Sequence, residues 1–295
     1  MEESYPARPV LGRLITLDLR PTRPLTFVGP AWAALCGAIA SGGLDGRGQS
    51  LVVLVLVILL CDALLGAWRA LWLHADWRVA LPRNLASARV WFMLPDDVPA
   101  GFFPRVRRAL IRRVALARNV VWPLIDSETI GMVIAGILAV CIAALLSPAA
   151  LALTGMAMLL ALIEGEVGGE RGAGLRALVE IALPWLIAQS AFGYFSWLSL
   201  FFILLFTLVY RALVGLTSAR QTHWLVWCNA PQLVIVLVLF ASDTPVGAGV
   251  VALGLLAQQL WQTRWRMDRD GRAYAQRVQS YVLAAMLVVS MSLWF

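Results

Sequence analysis

The sequence predicts an all-α integral membrane protein of about nine transmembrane helices, and three observations predict it. Of the 295 residues, 61% are hydrophobic and 14% charged, whereas soluble domains carry roughly 25% charged residues; the mean hydropathy is +0.79. Crossing a hydrocarbon core of about 30 Å takes roughly 17–25 apolar residues. Runs of that kind recur near 24–42, 50–73, 129–147, 149–166, 175–195, 196–217, 222–241, 246–263 and 279–295. The arginines, finally, sort to one side of that ladder.

The N-terminal stretch MEESYPARPVLGRLITLDLR begins with acids. It lacks the basic region and short apolar core of a signal peptide, so the first span is expected to insert by itself. With the N-terminus cytoplasmic, Arg8, Arg13, Arg20 and Arg23 precede span one, and Arg47 alone lies outside. Nine arginines from Arg78 to Arg118 follow span two. Arg171 and Arg176, then Arg211 and Arg220, then five between Arg264 and Arg277, occupy the later inner loops. Twenty-two of 24 therefore fall inside, with Arg69 near the inner end of span two. That is the positive-inside pattern of a multi-pass bacterial inner-membrane protein with its C-terminus outside. Two boundaries rest only on Ser147-Pro148 and Gly193-Tyr194, where long kinked helices would remove a pair of spans.

Residues 77–128 form the longest stretch between spans. Within FFPRVRRALIRRVALARNVVW, Val106, Leu110, Val114 and Val121 recur near helical period among Arg105, Arg108, Arg112 and Arg113. The segment reads as a cytoplasmic basic loop with an interfacial amphipathic helix, or as a solvated cytosolic helix. All 24 basic residues are arginine. The guanidinium stays charged and forks onto phosphates, which favours lipid headgroups or other anionic ligands. Cys36, Cys61, Cys141 and Cys228 lie far apart in or beside apolar runs, as small packing residues do.

Among polar residues, Asp62 lies in the middle of span two. Burying an ionisable group in the membrane costs at least a few kcal/mol, so it is a functional candidate; pairing with a serine, a backbone carbonyl or Arg69 is the alternative. Trp68, Trp72 and Trp77 stand near helical spacing at the cytoplasmic boundary, where aromatic belts occur. His223, beside Trp224 and Trp227, reads as an interface residue. Glu164, Glu166 and Glu170 in IEGEVGGERGAG read as a cytoplasmic glycine-rich turn, which lacks the Lys-Ser/Thr ending of a phosphate loop.

Three segments carry a family resemblance. TFVGPAWAALCGAIASG (Thr26 to Gly42) resembles T-W-F-P-P-M-W-A-x-x-C-G-x-x-S-S-G, agreeing at Thr26, Pro30, Trp32, Ala33, Cys36, Gly37, Ser41 and Gly42. ALPWLIAQSAF (Ala182 to Phe192) resembles E-G-L-P-W-x-x-G-A, and LLAQQLWQTRWRMDRDGRAYAQRVQSYVLAAMLVVSM resembles A-Q-x-x-L-x-x-R-x-x-x-D-P-x-x-x-A-x-x-Y-N-x-x-G-x-x-L-Y-V-L-G-M. These are patterns of the UbiA superfamily of membrane prenyltransferases, most closely the chlorophyll and bacteriochlorophyll synthases. The resemblance implies a bundle of nine helices around a lipid-open cavity. It also implies two Asp-rich motifs that hold a prenyl diphosphate through Mg²⁺, a hard ion requiring carboxylates.

This chain departs from the family at both motifs. Against N-D-x-x-D-x-x-x-D, followed downstream by R-P-x-x-S-G-R, the stretch WRALWLHADWRVALPRNLASAR sets Trp68 for Asn, Arg69 for the first Asp and Trp72 for the second. Asp76 keeps the third, and His74, Arg83, Ser87 and Arg89 agree with the synthase-type pattern. The second motif is absent, for no Asp or Glu occurs from Ile181 to Ser242. The tryptophans then either form a belt or fill the former diphosphate cavity. Arg83 and Arg89 remain able to grip an anion, and Asp76 or His74 is the metal-ligand candidate.

The expectation that follows is a synthase homologue that has lost Mg²⁺-dependent transfer. It would serve as an accessory subunit of a membrane complex, plausible ligands being bacteriochlorophyll, a carotenoid, an isoprenoid or a quinone. Its partners would be the lipid bilayer, membrane-protein subunits and a small hydrophobic ligand, not nucleic acid. The alternative is an active prenyltransferase with an altered diphosphate site using Asp62, Asp76 and the arginines. A lipid transporter has less support, since no inverted repeat stands out.

Overall fold

A computed structural model describes residues 29–44, 48–74, 127–167, 169–218, 223–264 and 271–294. No strand occurs among them. The apolar runs form nine helices among the described residues: α1 (Gly29–Ala40), α2 (48–74), α3 (Ser127–Leu146), α4 (Pro148–Val167), α5 (169–191), α6 (Trp197–Ser218), α7 (His223–Ala241), α8 (Pro245–Arg264) and α9 (Gly271–Trp294). Four segments are long and apolar enough to cross a membrane: Gly48–Arg69, Trp197–Thr217, His223–Ala241 and Ala273–Trp294. Gly29–Ala40, Val133–Leu146 and Pro148–Glu164 are apolar but shorter. Such helices are compatible with a membrane protein, because a helix satisfies its own backbone groups where no water can.

Two helices carry π-helical turns, Leu59–Leu64 in α2 and Leu178–Ala182 in α5. A π turn inserts one residue into the i→i−4 ladder and re-aims the side chains around it, often at functional sites. The first contains Asp62 and the second Glu180.

Ser147-Pro148 and Gly193-Tyr194 are both chain reversals rather than kinks. Ser147 caps α4, its Oγ accepting the Ala150 N–H at 3.0 Å, and Pro148 fills the first helical position, where no N–H is needed. Gly136 and Met158, equidistant in sequence from Ser147, consequently face each other, with the Met158 methyl 3.6 Å from where a Cβ on Gly136 would lie. After α5, Gly193 adopts φ 73°, and the Tyr194 N–H reaches the Gln189 carbonyl at 3.2 Å. This is a Schellman C-cap that needs a residue at positive φ.

Two helix starts differ from expectation. α5 begins at Gly169, so the glycine-rich run predicted as a turn is largely helical; α9 begins at Gly271, eight residues before 279. Most of 77–128, including the basic amphipathic segment, lies outside the described residues.

α1 and α5 form the central seam and contribute to both apolar cores. One core unites them with α2, α3 and α4, the other with α6, α7, α8 and α9. Their backbones meet at Gly37, where a Cβ would lie 2.5 Å from the Trp185 carbonyl oxygen. Ala33, Ala34, Cys36 and Ala38 continue the small-residue surface, which lets helices approach closely where lipid removes the hydrophobic drive to associate. Outward, Val52, Val55, Leu204, Leu237 and Phe240 are exposed, the apolar surface expected of helices in lipid.

Candidate functional site: a buried charge cluster

Five helices converge on a set of charged side chains. Arg69 lies on α2 past its π turn, Glu164 near the end of α4, and Glu180 within the π turn of α5. Arg176 sits one turn before Glu180, and Tyr210 projects from α6. The start of α1 closes the group: a Cβ on Gly29 would lie 3.9 Å from the Tyr210 hydroxyl and from Glu180.

Arg69 grips Glu164 with two bonds, Nε to Oε2 at 2.7 Å and Nη2 to Oε1 at 2.6 Å. Its remaining nitrogen, Nη1, donates to Glu180 Oε1. Arg176 Nε reaches both Glu180 oxygens, at 3.2 and 3.3 Å, and the Tyr210 hydroxyl donates to Oε2. The Arg69, Glu164 and Glu180 side chains are 14%, 8% and 2% exposed. Two guanidinium and two carboxylate groups leave no net charge. Bidentate, charge-assisted bonds satisfy both acids, the condition under which buried charges persist in a low dielectric.

This arrangement bears directly on metal binding. Mg²⁺ needs carboxylate oxygens free to coordinate it. Glu164 and Glu180 instead face a guanidinium held between them. Among the described residues, no group of three or more His, Cys, Asp or Glu is placed to hold a metal.

Arg69 thus enters the cluster through the two glutamates and not through Asp62, one of the partners the sequence left open for that acid. Asp62 is half-buried on the π turn of α2 and makes no hydrogen bond or ion pair among the described residues. Trp68 is half-buried; its Nε1 donates to the Met158 carbonyl at 3.4 Å and its ring lies against Gly136. It packs between α3 and α4. Trp72 and His74 fall in the last turns of α2. Asp76, Trp77, Arg83 and Arg89 lie outside the described residues. Glu164, expected in a loop, is helical and buried.

Sequence reasoning missed Glu180, Arg176 and Tyr210 as site residues. The first carried a signal, being an acid inside a predicted span with Arg176 four residues before it on the same helical face. A second polar group bridges α7, α8 and α9. Gln258 donates to Asn229 at 2.9 Å and accepts from Gln232 at 3.1 Å, while Gln262 bonds Asn229 at 3.0 Å and Tyr274 at 2.6 Å. It contains no acid and ties helices together. No protein-family model, curated protein or solved structure matches this chain.

Proposed function

We propose that this chain is a nine-span, UbiA-like bacterial membrane protein that does not carry out Mg²⁺-dependent prenyl transfer. It acts instead as an accessory subunit of a membrane complex, binding a pigment, isoprenoid or quinone. The observation that supports the reading is the state of Arg69. It stands where the family pattern has its first metal-binding Asp, and it occupies the two buried carboxylates nearest to it, Glu164 and Glu180. An arginine there supplies permanently the positive charge that Mg²⁺ would bring, and it cannot coordinate a diphosphate-bound metal.

The alternating orientation fits the same cluster. With the N-terminus cytoplasmic, residues 69, 164, 176–180 and 210 all fall toward the inner ends of their helices, as their mutual contacts require. The resemblance to bacteriochlorophyll synthases directs the search for a partner toward photosynthetic complexes.

The test is to solubilise the protein gently, record its absorption spectrum, identify what co-purifies, and assay prenyl transfer with and without Mg²⁺. The expected result is a ligand or partner at fixed stoichiometry and no diphosphate-dependent product. Mg²⁺-dependent product lost on Asp76→Ala would establish the active-enzyme alternative instead. A colourless protein with neither ligand nor partner would also refute the accessory role.

A further inference from the structure

Where α6 ends and α7 begins, Leu208, Arg211, His223, Trp224 and Trp227 line an open cleft of about 180 Å³. Arg211 is exposed, unlike Arg69, and no carboxylate pairs with it among the described residues. Its guanidinium carbon lies 5.8 Å from the centre of the Trp224 ring, and a Cβ on Gly174 would sit 3.7 Å from its Nε. His223 lies against the same indole, ring centres 4.7 Å apart. Gly215 makes room for that indole, since a Cβ there would lie 2.5 Å from Trp224 Cδ2. The packed Trp224 ring therefore fixes the place of both polar groups.

The cleft is polar at one end only. On α6, Phe201, Leu204, Leu208 and Arg211 follow at intervals of three and four residues and share one face. Phe201 is 40% and Leu204 55% exposed, and Trp227 across the cleft is 53% exposed. At 1.5 Å rise per residue this apolar track extends about 15 Å from Arg211. Both helices are among those long and apolar enough to cross a membrane. Arg211 lies before Thr217, the last residue of that segment of α6, by about 9 Å along the axis, and its long stem carries the charge from there toward the headgroup level.

We propose that this cleft is a binding site for an anionic phospholipid. Arg211 and His223 hold its phosphate, and an acyl chain lies along Phe201, Leu204 and Leu208. A guanidinium suits a phosphate through parallel N–H bonds, and the imidazole adds another donor. A soluble phosphate would use the polar end and leave the track unfilled; a zwitterionic lipid would bring a compensating cation to Arg211.

The proposal is tested by native mass spectrometry of the full-length protein released from nanodiscs of mixed phosphatidylglycerol and phosphatidylcholine. The wild type is expected to retain one phosphatidylglycerol preferentially. Arg211→Gln should weaken that retention about fivefold, the worth of one basic residue at an anionic surface, and Arg211→Lys should restore most of it. Leu204→Gln, which keeps the phosphate grip, should also weaken it. Equal retention of the two lipids, or no change in Arg211→Gln, would overturn the proposal. So would inorganic phosphate displacing the lipid at millimolar concentration, since the site would then recognise the anion without its chain.

Discussion

Replacing Arg69 by methionine keeps a flexible apolar stem and removes the guanidinium. Glu164 then loses both of its hydrogen bonds, and Glu180 keeps only Arg176 and Tyr210. With Glu164 only 8% exposed, water cannot substitute. Removing one partner of a buried ion pair costs about 3–5 kcal/mol because the other charge stays buried, and Arg69 serves two acids. Arg69→Met should therefore destabilise the fold by at least that range. Reversible unfolding in mixed micelles of sodium dodecyl sulfate, followed by tryptophan fluorescence, would measure it. The triple change Arg69→Met, Glu164→Gln, Glu180→Gln should recover most of the loss, since well-packed neutral groups replace buried ion pairs with little penalty. Of the single changes, Glu180→Gln should cost more than Glu164→Gln, because Glu180 serves Arg69, Arg176 and Tyr210. Arg69→Met within about 1 kcal/mol of the wild type would refute the view that these charges depend on one another.

Other expectations follow from packing. Gly37→Ala places a methyl 2.5 Å from a backbone oxygen of α5 that has no rotamer to escape into; a loss of about 1–3 kcal/mol or more is expected in the same unfolding assay. Gly215→Ala should drive the Trp224 indole from its slot, seen as greater acrylamide quenching and a loss of about 1–3 kcal/mol. Gln258→Leu breaks the amide chain between α7 and α8 and should cost about 1 kcal/mol, since hydrogen bonds between membrane helices average about 0.6 and reach about 1.7.

The helices were largely legible because each required its own apolar run. At Ser147-Pro148 the sequence left a boundary and a kinked helix both open, and the capping bond of Ser147 to the Ala150 N–H marks it as a reversal. The stretch IEGEVGGERGAG was misleading for an equally local reason. Its glycines disfavour helix by about 1 kcal/mol each relative to alanine, yet the chain is helical again from Gly169, where Gly172 lies near the Glu164 carbonyl and Gly174 beside Arg211. Tertiary contact overrides propensity there. The charge cluster was hidden more deeply, since Arg69 lies 95 residues from Glu164 and 111 from Glu180. No periodicity within one helix reports such a pairing. Asp62, seven positions before Arg69 on the same helix, sits within the π turn of α2, and α4 and α5 supply the carboxylates instead.

Arg69 and Arg211 show how far residue type alone falls short of function. Both are arginines in the C-terminal parts of apolar helices, and the charge count treats them alike. Arg69 is surrounded by acids on α4 and α5, so its charge is neutralised inside the protein and leaves nothing over for a phosphate. Arg211 follows Tyr210 on α6 and lies beside Gly174 of α5, in a sequence stretch without any acid from Ile181 to Ser242. Its neighbours are an indole, an imidazole and an exposed apolar track. Among the described residues no acid pairs with it, and on the proposed reading the phosphate of an anionic lipid supplies the counter-charge. The two sites are therefore separable. Neutralising Arg69 should alter stability, while neutralising Arg211 should change which lipids accompany the protein and leave its unfolding in a neutral detergent within about 0.5 kcal/mol of the wild type.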